Sequence, residues 1–350
     1  MTDTQTVAWD FRRKIADGVL KTAGVTPLVR LRTVTSGIDA EILLKLEYYG
    51  PSGSVKDRIL PFIVAQAEQR GDLHPGMTII EGTTGNTGIA TSMTAAARGY
   101  PAIIVMPEGM SDERKKTVQA YGAELVLTPG AESDVDLVLE KVAKLKASDP
   151  GRYWEVCQFS NPDNIAAHFN ATGPEIWEQT EGTVDAFIDA QGTGGTLTGV
   201  SAYLKSRDES VRAFAIEPAE CPILAGGGWG PHRIEGIGDG FVPDNLHLDL
   251  LDGVVEVSSD EAIEMARRLA REEGIFCGIS SGCNVAGAIK LARAYPDLHR
   301  IVTIASDNGL RYLSTELCGG AEVLEIPERD HPMDAATRER LAAHPLPVVS

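Results

Sequence analysis

The order of apolar and polar positions along the chain predicts alternating strands and helices. Short, almost continuously apolar segments are typical of strands buried on both faces. They occur at residues 41–47, 78–82, 102–108, 124–130, 184–192, 211–218, 254–258 and 301–309. Between them, apolar residues recur about every 3.6 positions at residues 55–71, 134–148 and 260–274. This alternation favours an α/β fold whose mostly parallel sheets are covered by helices on both faces.

Length and charge narrow the functional classes. The chain has 350 residues, which suggests two domains at about 150 residues each. It carries 32 Lys and Arg against 50 Asp and Glu, a formal net charge of −18. A chain with this much negative charge repels phosphate backbones and anionic lipid head groups. We therefore expect neither nucleic acids nor membranes as partners. The N-terminus lacks the apolar core of a signal peptide, which predicts a cytoplasmic protein.

Metal and disulfide sites are not expected. The five cysteines are scattered without C-x-x-C spacing, and the seven histidines are isolated. One enzyme motif does occur, because GISSG at residues 278–282 matches the nucleophile elbow of serine hydrolases, with His299 and His331 downstream. We favour the simpler interpretation of a Gly/Ser-rich turn that leads into a helix.

Two loops that each follow a predicted strand and precede a predicted helix are rich in glycine and threonine. They are EGTTGNTG at residues 81–88 and GTGGT at residues 192–196. Backbone N–H groups and hydroxyls at a helix N-terminus bind anions. Each loop alone also fits an ordinary tight turn of a doubly wound fold. The pair favours binding of two anionic groups, such as a phosphate and a carboxylate.

A third segment, PSGSVKDR at residues 51–58, places Lys56 at the start of a predicted helix. The positive end of the helix dipole disfavours the ammonium form there, and a neutral lysine can form a Schiff base. The alternative is a solvated lysine in the first helical turn. The sequence combines a candidate lysine with two anion-binding loops and lacks a nucleotide-binding fingerprint. This combination fits a cofactor that carries both an aldehyde and a phosphate, such as pyridoxal 5′-phosphate.

Ordered sequence segments resemble the cysteine synthase and cystathionine β-synthase family, fold-type II pyridoxal-phosphate enzymes. They span roughly residues 22–317 and read PSGSVKDR, EGTTGNTGIA, QFSNPDNIAAHFNATGPEIW, GTGGTLTG, HRIEGIGDGFVP, EGIFCGISSG and DNGLRYLST. The resemblance implies a homodimer with a tryptophan synthase β-like architecture, in which two αβα domains with mostly parallel sheets hold the cofactor in the cleft between them. We expect a smaller domain at residues 50–161, a larger one at 1–49 plus 162–327, and a C-terminal tail at 328–350 that either packs loosely or reaches a neighbouring molecule.

The resemblance also implies a role for each motif residue. Lys56 is expected to be the catalytic lysine that bonds to the cofactor. Asn86 would hydrogen-bond the cofactor's phenolic oxygen, and Asn308 would face its pyridine nitrogen. The expected phosphate-binding residues are Gly192, Thr193, Gly194, Gly195 and Thr196. The expected substrate-binding residues are Thr83, Thr84, Asn86, Thr87, Gln158 and Gly236.

Some positions depart from the family pattern. Gly82 and Thr84 stand where the family often has proline and serine, so the loop is expected to fit a differently shaped substrate. Asn308 replaces the usual serine, and a neutral amide there predicts a weak electron sink, suited to β-elimination. Cys221 and Cys283 stand where small residues are usual, and we expect them to pack rather than to react.

The implied reaction is β-replacement on an O-activated serine, most simply O-acetylserine and sulfide giving cysteine. Alternatives are O-phosphoserine as donor, homocysteine as acceptor giving cystathionine, a nitrogen nucleophile giving a 2,3-diaminopropionate derivative, and serine or threonine dehydration. A cofactor-free binding protein is disfavoured by the retained lysine and loops. The segment at residues 236–241 carries Asp239 and no arginine, which favours an acetyl over a phosphoryl donor. Arg233, close in sequence, is the main argument against that preference.

Overall fold

The computed structural model of the protein describes residues 14–130, 134–319 and 332–349. The larger of its two sheets contains, in spatial order, β1 (Leu28–Arg30), β2 (Glu41–Leu46), β10 (Arg300–Ala305), β7 (Ala186–Ala190), β8 (Arg212–Pro218), β9 (Gly253–Val257) and β11 (Val348–Val349). The smaller contains β5 (Glu124–Thr128), β4 (Ala102–Pro107), β3 (Thr78–Gly82) and β6 (Tyr153–Glu155). Neighbouring strands are parallel except β1 and β2.

Helices separate most of these strands along the chain. They are α1 (Lys56–Arg70), α2 (Asn86–Arg98), α3 (Asp112–Ala120), α4 (Val135–Ser148), α5 (Pro162–Ala167), α6 (Gly173–Gln179), α7 (Gly195–Arg207), α8 (Ser259–Glu272), α9 (Ile279–Ala294) and α10 (Ala335–Ala343). Helix α8 begins with a capping box between Ser258 and Glu261, whose side chains satisfy each other's backbone N–H groups. Within the described ranges, no helix is long and apolar enough to cross a membrane.

The predicted fold class is confirmed, and packing explains why the strands were visible in the sequence. In β2, Ile42 and Leu44 belong to a core cluster on one side of the larger sheet, and Leu43 belongs to a second cluster on the other side. In β3, Ile79 and Ile80 likewise belong to two different clusters. Burial on both faces demands apolar residues at consecutive positions. The division of the chain into domains at residues 50 and 161 stays a prediction.

The C-terminal segment is built into the larger sheet instead of packing loosely. Strand β11 pairs parallel with β9, with Val348 opposite Val254. In α10, Arg340 donates to the backbone carbonyls of Val242 (2.7 Å) and Leu246 (2.8 Å). The first residues of the predicted tail, 328–331, and Ser350 lie outside the described ranges.

A buried ion network ties α1 to the larger sheet. Lys45 in β2 donates to Glu175 in α6 (2.7 Å), and Arg58 in α1 donates to the other oxygen of Glu175 (2.7 Å). The Arg58 guanidinium also reaches Glu47 (2.5 Å). Burial alone would raise the pKa of Glu175, but Arg58 and Lys45 lower it to about 2. The start of α1, where Lys56 lies, is therefore fixed through paired charges.

Candidate active site

An open cleft with about 900 Å³ of empty volume lies beyond the ends of β3, β7 and β10. Carboxyl ends of parallel strands meet at one edge of a sheet, where ligands of open α/β sheets bind. The predicted residues that line the cleft are Lys56, Thr83, Thr84, Asn86, Thr87, Gln158, Gly192, Thr193, Gly194, Thr196 and Gly236. Gly195 begins α7 between two of them. The roles assigned to these residues stay predictions, but the structure brings them together.

The turn before Lys56 is held from two sides. The carboxylate of Asp57 accepts backbone N–H groups of Ser52 (2.9 Å) and Gly53 (3.0 Å). The guanidinium of Arg311 donates to the backbone carbonyls of the same two residues, at 2.8 Å for Gly53. An anion and a cation thus satisfy both kinds of backbone group in the turn. This arrangement fixes the position from which the Lys56 side chain enters the cleft.

The amine of Lys56 lies in a desolvated, acidic setting. Burial lowers its pKa from the usual value, while the carboxylates of Asp189, Asp307 and Asp239 oppose that shift. The net direction is downward, which raises the share of the neutral, nucleophilic form at a given pH. The setting agrees with the predicted chemistry of this lysine.

The loop at residues 83–87, here called the carboxylate loop, connects β3 to α2. The hydroxyl of Thr87 donates to the Gln158 side chain (2.5 Å), whose amide nitrogen in turn donates to the carbonyl of Gly82 (3.1 Å). Gln158 is thereby oriented beside the loop. The N-terminal N–H groups of α2 and the threonine hydroxyls form a donor-rich wall suited to a carboxylate.

Asn86, the first residue of α2, has one free acceptor. Its amide nitrogen donates to Asp307 (2.7 Å), which also accepts from the Tyr312 hydroxyl (2.9 Å). Its side-chain oxygen is buried and accepts no hydrogen bond from the described residues. Since buried polar atoms are normally satisfied, an orphaned oxygen in the cleft suggests a ligand group that completes it.

The loop at residues 192–196, here called the phosphate cradle, leads from β7 into α7. A β-carbon at Gly192 would lie 2.6 Å from the carbonyl oxygen of Gly236, and one at Gly194 would lie 2.7 Å from the backbone nitrogen of Leu246. Gly194 also has φ of 80°, in the left-handed region. Glycine is therefore required sterically, and the α7 N-terminus is left open to an anion.

A buried histidine supports the cradle. His168 contacts the Thr196 hydroxyl (3.1 Å) through one ring nitrogen and the Thr172 hydroxyl (2.9 Å) through the other. Burial holds the pKa of His168 well below its usual value, with Arg58 and Lys56 acting in the same direction. The neutral ring orients Thr196 without adding charge. Sequence reasoning missed this residue because isolated histidines carry no pattern.

These features fit pyridoxal phosphate. Lys56 offers an amine for the aldehyde, the phosphate cradle offers a helix N-terminus that side chains would block, and Asn86 offers amide groups for the phenolic oxygen. The carboxylate loop lies in the same cleft. One cavity therefore holds every group that the cofactor and an amino acid would need.

Asn308 is the exception, and its predicted role stays a prediction. It does not line the cleft. Its side-chain oxygen instead accepts the backbone N–H of Leu310 (3.1 Å) and caps a short 3₁₀ turn. The side chain lies against Gly53, outside the cavity. The amide is used in a local cap, as is common for asparagine in turns, so it does not support the weak-sink expectation.

Two polar residues that the sequence analysis did not assign line the cleft instead. Ser280 lies in the first turn of α9 and Asp189 near the end of β7, and both are nearly buried. Ser280 belongs to the GISSG segment, and Asp189 is an acid inside an apolar strand. Both signals were therefore present in the sequence, but neither shows which side chains face the cavity.

A charged pair also lines the cleft. Arg114 of α3 forms an ion pair with Glu235, which precedes Gly236. The guanidinium carbon lies 4.8 Å from the centre of the Tyr312 ring, and a β-carbon at Gly85 would collide with the Arg114 side chain. Arg114 therefore lies directly beside the carboxylate loop, and its charge is offset by Glu235.

The structure does not support a serine hydrolase or a catalytic cysteine at this site. The turn at residues 278–282 leads into α9 as expected, and the described residues that line the cleft include no histidine to activate Ser280. His299 precedes β10, at the end of the strand away from the cleft, and His331 lies outside the described ranges. Burial raises the pKa of the Cys221 thiol to about 11 and also raises that of Cys283, so neither readily forms a thiolate.

Comparison with known proteins agrees with this site. The family described as "Pyridoxal-phosphate dependent enzyme" matches residues 19–307. A cysteine synthase of Staphylococcus aureus (strain N315) is 46% identical over 306 residues, covering 87% of this chain and 98% of that protein. The crystal structure of a cysteine synthase from Entamoeba histolytica is 42% identical with a TM-score of 0.84, covering 91% of this chain and 94% of that one.

A further solved structure, a hydrogen sulfide-producing enzyme from Fusobacterium nucleatum, is 36% identical with a TM-score of 0.81, covering 85% of this chain and 100% of that one. The family match includes Lys56, the carboxylate loop and the phosphate cradle. The chain therefore belongs to the family of pyridoxal-phosphate dependent enzymes.

Proposed function

We propose that this enzyme makes cysteine from O-acetylserine and sulfide. The observation that carries the proposal is the single cleft that unites Lys56, the carboxylate loop and the phosphate cradle. The cysteine synthases of Staphylococcus aureus and Entamoeba histolytica, at 46% and 42% identity, support this choice of substrates. The reaction replaces the acetoxy group on the β-carbon with a thiol.

The residues that line the cleft have separate roles in this reaction. Pyridoxal phosphate supplies an electron-withdrawing ring that labilises the α-proton of the amino acid. Lys56 removes that proton as general base, a role favoured by its lowered pKa. The carboxylate loop and Gln158 would hold the α-carboxylate of the amino acid. Acetate would leave with the bonding electrons of the Cβ–O bond, hydrosulfide would then bond to the β-carbon, and protonated Lys56 would return its proton to the α-carbon.

The charges in the cleft favour an acetyl over a phosphoryl donor. Its described lining carries three acids, Asp189, Glu235 and Asp239, against two cations, Lys56 and Arg114. Arg233 does not line the cleft and instead pairs with Asp260 and Glu316. The described lining therefore carries more acids than cations, which disfavours binding of a phosphorylated side chain.

A donor-by-nucleophile matrix with mass-spectrometric product detection tests the proposal. We expect kcat/KM for O-acetylserine to exceed that for O-phosphoserine by about tenfold or more, since about 1.4 kcal/mol of repulsion gives that ratio. Sulfide should give cysteine faster than homocysteine gives cystathionine or an amine gives a diaminopropionate. A phosphoserine advantage of tenfold, or release of pyruvate from serine as the main product, would overturn it.

The Glu235→Gln variant sharpens this test, because it releases Arg114 inside the cleft. We expect the acetyl-to-phosphoryl ratio of kcat/KM to fall by about tenfold in this variant. The matched control is Glu316→Gln, which likewise removes an arginine's carboxylate partner, but outside the cleft. The ratio should be unchanged in the control. Equal acetyl-to-phosphoryl ratios of kcat/KM in both variants would show that Arg114 does not affect the choice of donor.

The proposal extends to the setting of the enzyme. The smaller domain would run from residue 50 to 161 and close on the larger one, which excludes water from the cleft. The acidic net charge and the five free cysteines support a cytoplasmic enzyme without a nucleic-acid partner. A homodimer is part of the same proposal, and light scattering of the purified protein tests it.

A further inference from the structure

A buried acid precedes the carboxylate loop and has no role in the reaction proposed above. Glu81 lies in β3, two residues before Thr83, and is only 2% exposed. Burial raises the pKa of Glu81 to about 8, with Glu155 acting in the same direction, while two backbone N–H groups and Lys146 oppose the shift. A buried acid costs free energy unless hydrogen bonds compensate it. The partners of Glu81 therefore indicate its role.

The carboxyl group of Glu81 holds the turn that follows β6. One of its oxygens accepts the backbone N–H of Cys157 (3.1 Å), and the other accepts that of Gln158 (3.4 Å). The backbone pairing of the two strands ends one residue earlier, where the N–H of Val156 donates to the carbonyl of Ile80 (3.3 Å). The side chain of Glu81 thus continues the contact between β3 and this segment beyond the end of the sheet.

Cys157 has a backbone conformation that needs such support. Its φ is 55°, in the left-handed region that residues with a β-carbon rarely adopt. Its carbonyl accepts the N–H groups of Ser160 (3.1 Å) and Asn161 (2.9 Å), and its own N–H is taken by Glu81. A residue stays in a strained conformation only where its surroundings impose it. Glu81 is one of the groups that impose it here.

The same turn sets the position of the Gln158 side chain. The amide nitrogen of Gln158 donates to the carbonyl of Gly82 (3.1 Å), and its side-chain oxygen accepts from the hydroxyl of Thr87 (2.5 Å). Of Gln158 and Glu81, only Gln158 lines the cleft. Glu81 therefore connects the backbone of Gln158 to the strand that leads into the carboxylate loop, and the side chain of Gln158 contacts the loop itself.

We propose that Glu81 is a positioning residue for the site of the substrate's α-carboxylate and that it acts through Gln158. The inference rests on the role of Gln158 and the carboxylate loop in the proposed function, and not on the identity of the donor or nucleophile. Without Glu81, two backbone N–H groups lose their acceptors, and Cys157 can leave the left-handed region. Gln158 then shifts relative to the carboxylate loop, and the amino acid binds more weakly.

Calorimetric titration of the holoenzyme with L-alanine tests this inference. Alanine carries the α-carboxylate but no leaving group on its β-carbon, so it probes binding without β-elimination. We expect its dissociation constant to rise about tenfold in Glu81→Ala, since the loss of a hydrogen bond that orients a binding group has about that effect. Glu81→Gln keeps one acceptor oxygen and should give an intermediate increase.

Glu217→Ala is the matched control. Glu217 in β8 is also buried, and burial raises its pKa to about 8. Its carboxyl group likewise accepts two consecutive backbone N–H groups, those of Leu224 (2.7 Å) and Ala225 (2.8 Å), but none of these three residues lines the cleft. Glu217→Ala should therefore lose stability, as Glu81→Ala does, but keep the wild-type dissociation constant for alanine.

A double-mutant cycle with Gln158→Ala separates positioning from general damage. Glu81→Ala should weaken alanine binding much less in the Gln158→Ala background than in the wild-type one. Equal effects in both backgrounds, an equal increase in Glu217→Ala, or an unchanged dissociation constant in Glu81→Ala overturn the inference. If Glu81→Ala does not fold, Glu81→Gln takes its place under the same criteria. Alanine binding needs neither O-acetylserine nor sulfide, so a failed donor assay and a failed inference are distinguishable.

Discussion

Replacement of Lys56 by alanine is expected to lower kcat by at least about a thousandfold, since a general base alone contributes about 10²–10⁴. The variant loses both the amine that bonds to the cofactor and the group that removes the α-proton. The fold should persist, because the turn is held by Asp57 and Arg311 and not by the lysine itself. Steady-state kinetics with O-acetylserine and sulfide measure the loss, and circular dichroism checks the fold.

Two further variants separate the chemistry from the charge. Lys56→Arg keeps a cation at the same place but cannot supply a neutral amine, since arginine stays protonated, so it should be as inactive as the alanine variant. Lys116→Ala in α3 removes a lysine whose side chain is 77% exposed and should leave kcat unchanged. Turnover of Lys56→Ala within tenfold of wild type, without added amine, would remove Lys56 from the role.

The second large effect is expected on stability. Glu175→Gln removes the carboxylate that neutralises Lys45 and Arg58, which are both buried. Breaking a buried ion network by removing one partner leaves uncompensated charge, which costs about 3–5 kcal/mol. We expect the free energy of unfolding, measured by urea denaturation, to fall by that amount. Helix α1 should loosen with it, since Arg58 lies only two residues after Lys56.

An exposed pair provides the control. Glu140 and Lys144 in α4 form an i,i+4 ion pair with both side chains more than half exposed. Glu140→Gln should cost only about 0.3–0.5 kcal/mol, because water and salt screen the pair. Similar losses for Glu140→Gln and Glu175→Gln would show that burial does not strengthen the network.

The pH dependence of stability gives an independent check. The folded pKa of Glu175, about 2, lies below its ordinary value of 4.5. The stabilisation from this group is therefore fully present above pH 4.5 and is lost as the pH falls toward 2. Wild type should lose more stability than Glu175→Gln over that interval. Parallel pH curves for the two proteins would contradict the assignment.

Sequence patterns predicted the strands well where packing imposes a pattern. The segments at residues 41–47 and 301–309 contain β2 and β10 because both faces of each strand are buried. Strands β1, β6 and β11 have only three, three and two residues, too few for any periodicity to register. The pairing of β11 with β9 also depends on contacts far apart in the chain, which local sequence does not encode.

The site was predictable where backbone geometry demands a residue type. The glycines of the phosphate cradle are forced by close contacts, such as that of Gly192 with Gly236, and so appear in the sequence as a dense motif. Asn308 shows the limit of prediction from sequence. It stands where the family usually has serine, but the sequence does not show whether its side chain faces the cleft or caps a turn. Lys45 inside an apolar strand was visible, but its partner Glu175 is 130 residues away.

Strand β11 has a consequence for self-association. It covers the outer edge of β9, whose residues Val254 and Val255 are fully buried. Without it, β9 would be a bare edge strand, and unpaired backbone groups along such an edge template pairing with another chain. Three neighbouring β-branched residues, Val254, Val255 and Val257, would add to that tendency. Strand β11 therefore covers this edge of β9 and leaves the sheet with an edge strand of only two residues.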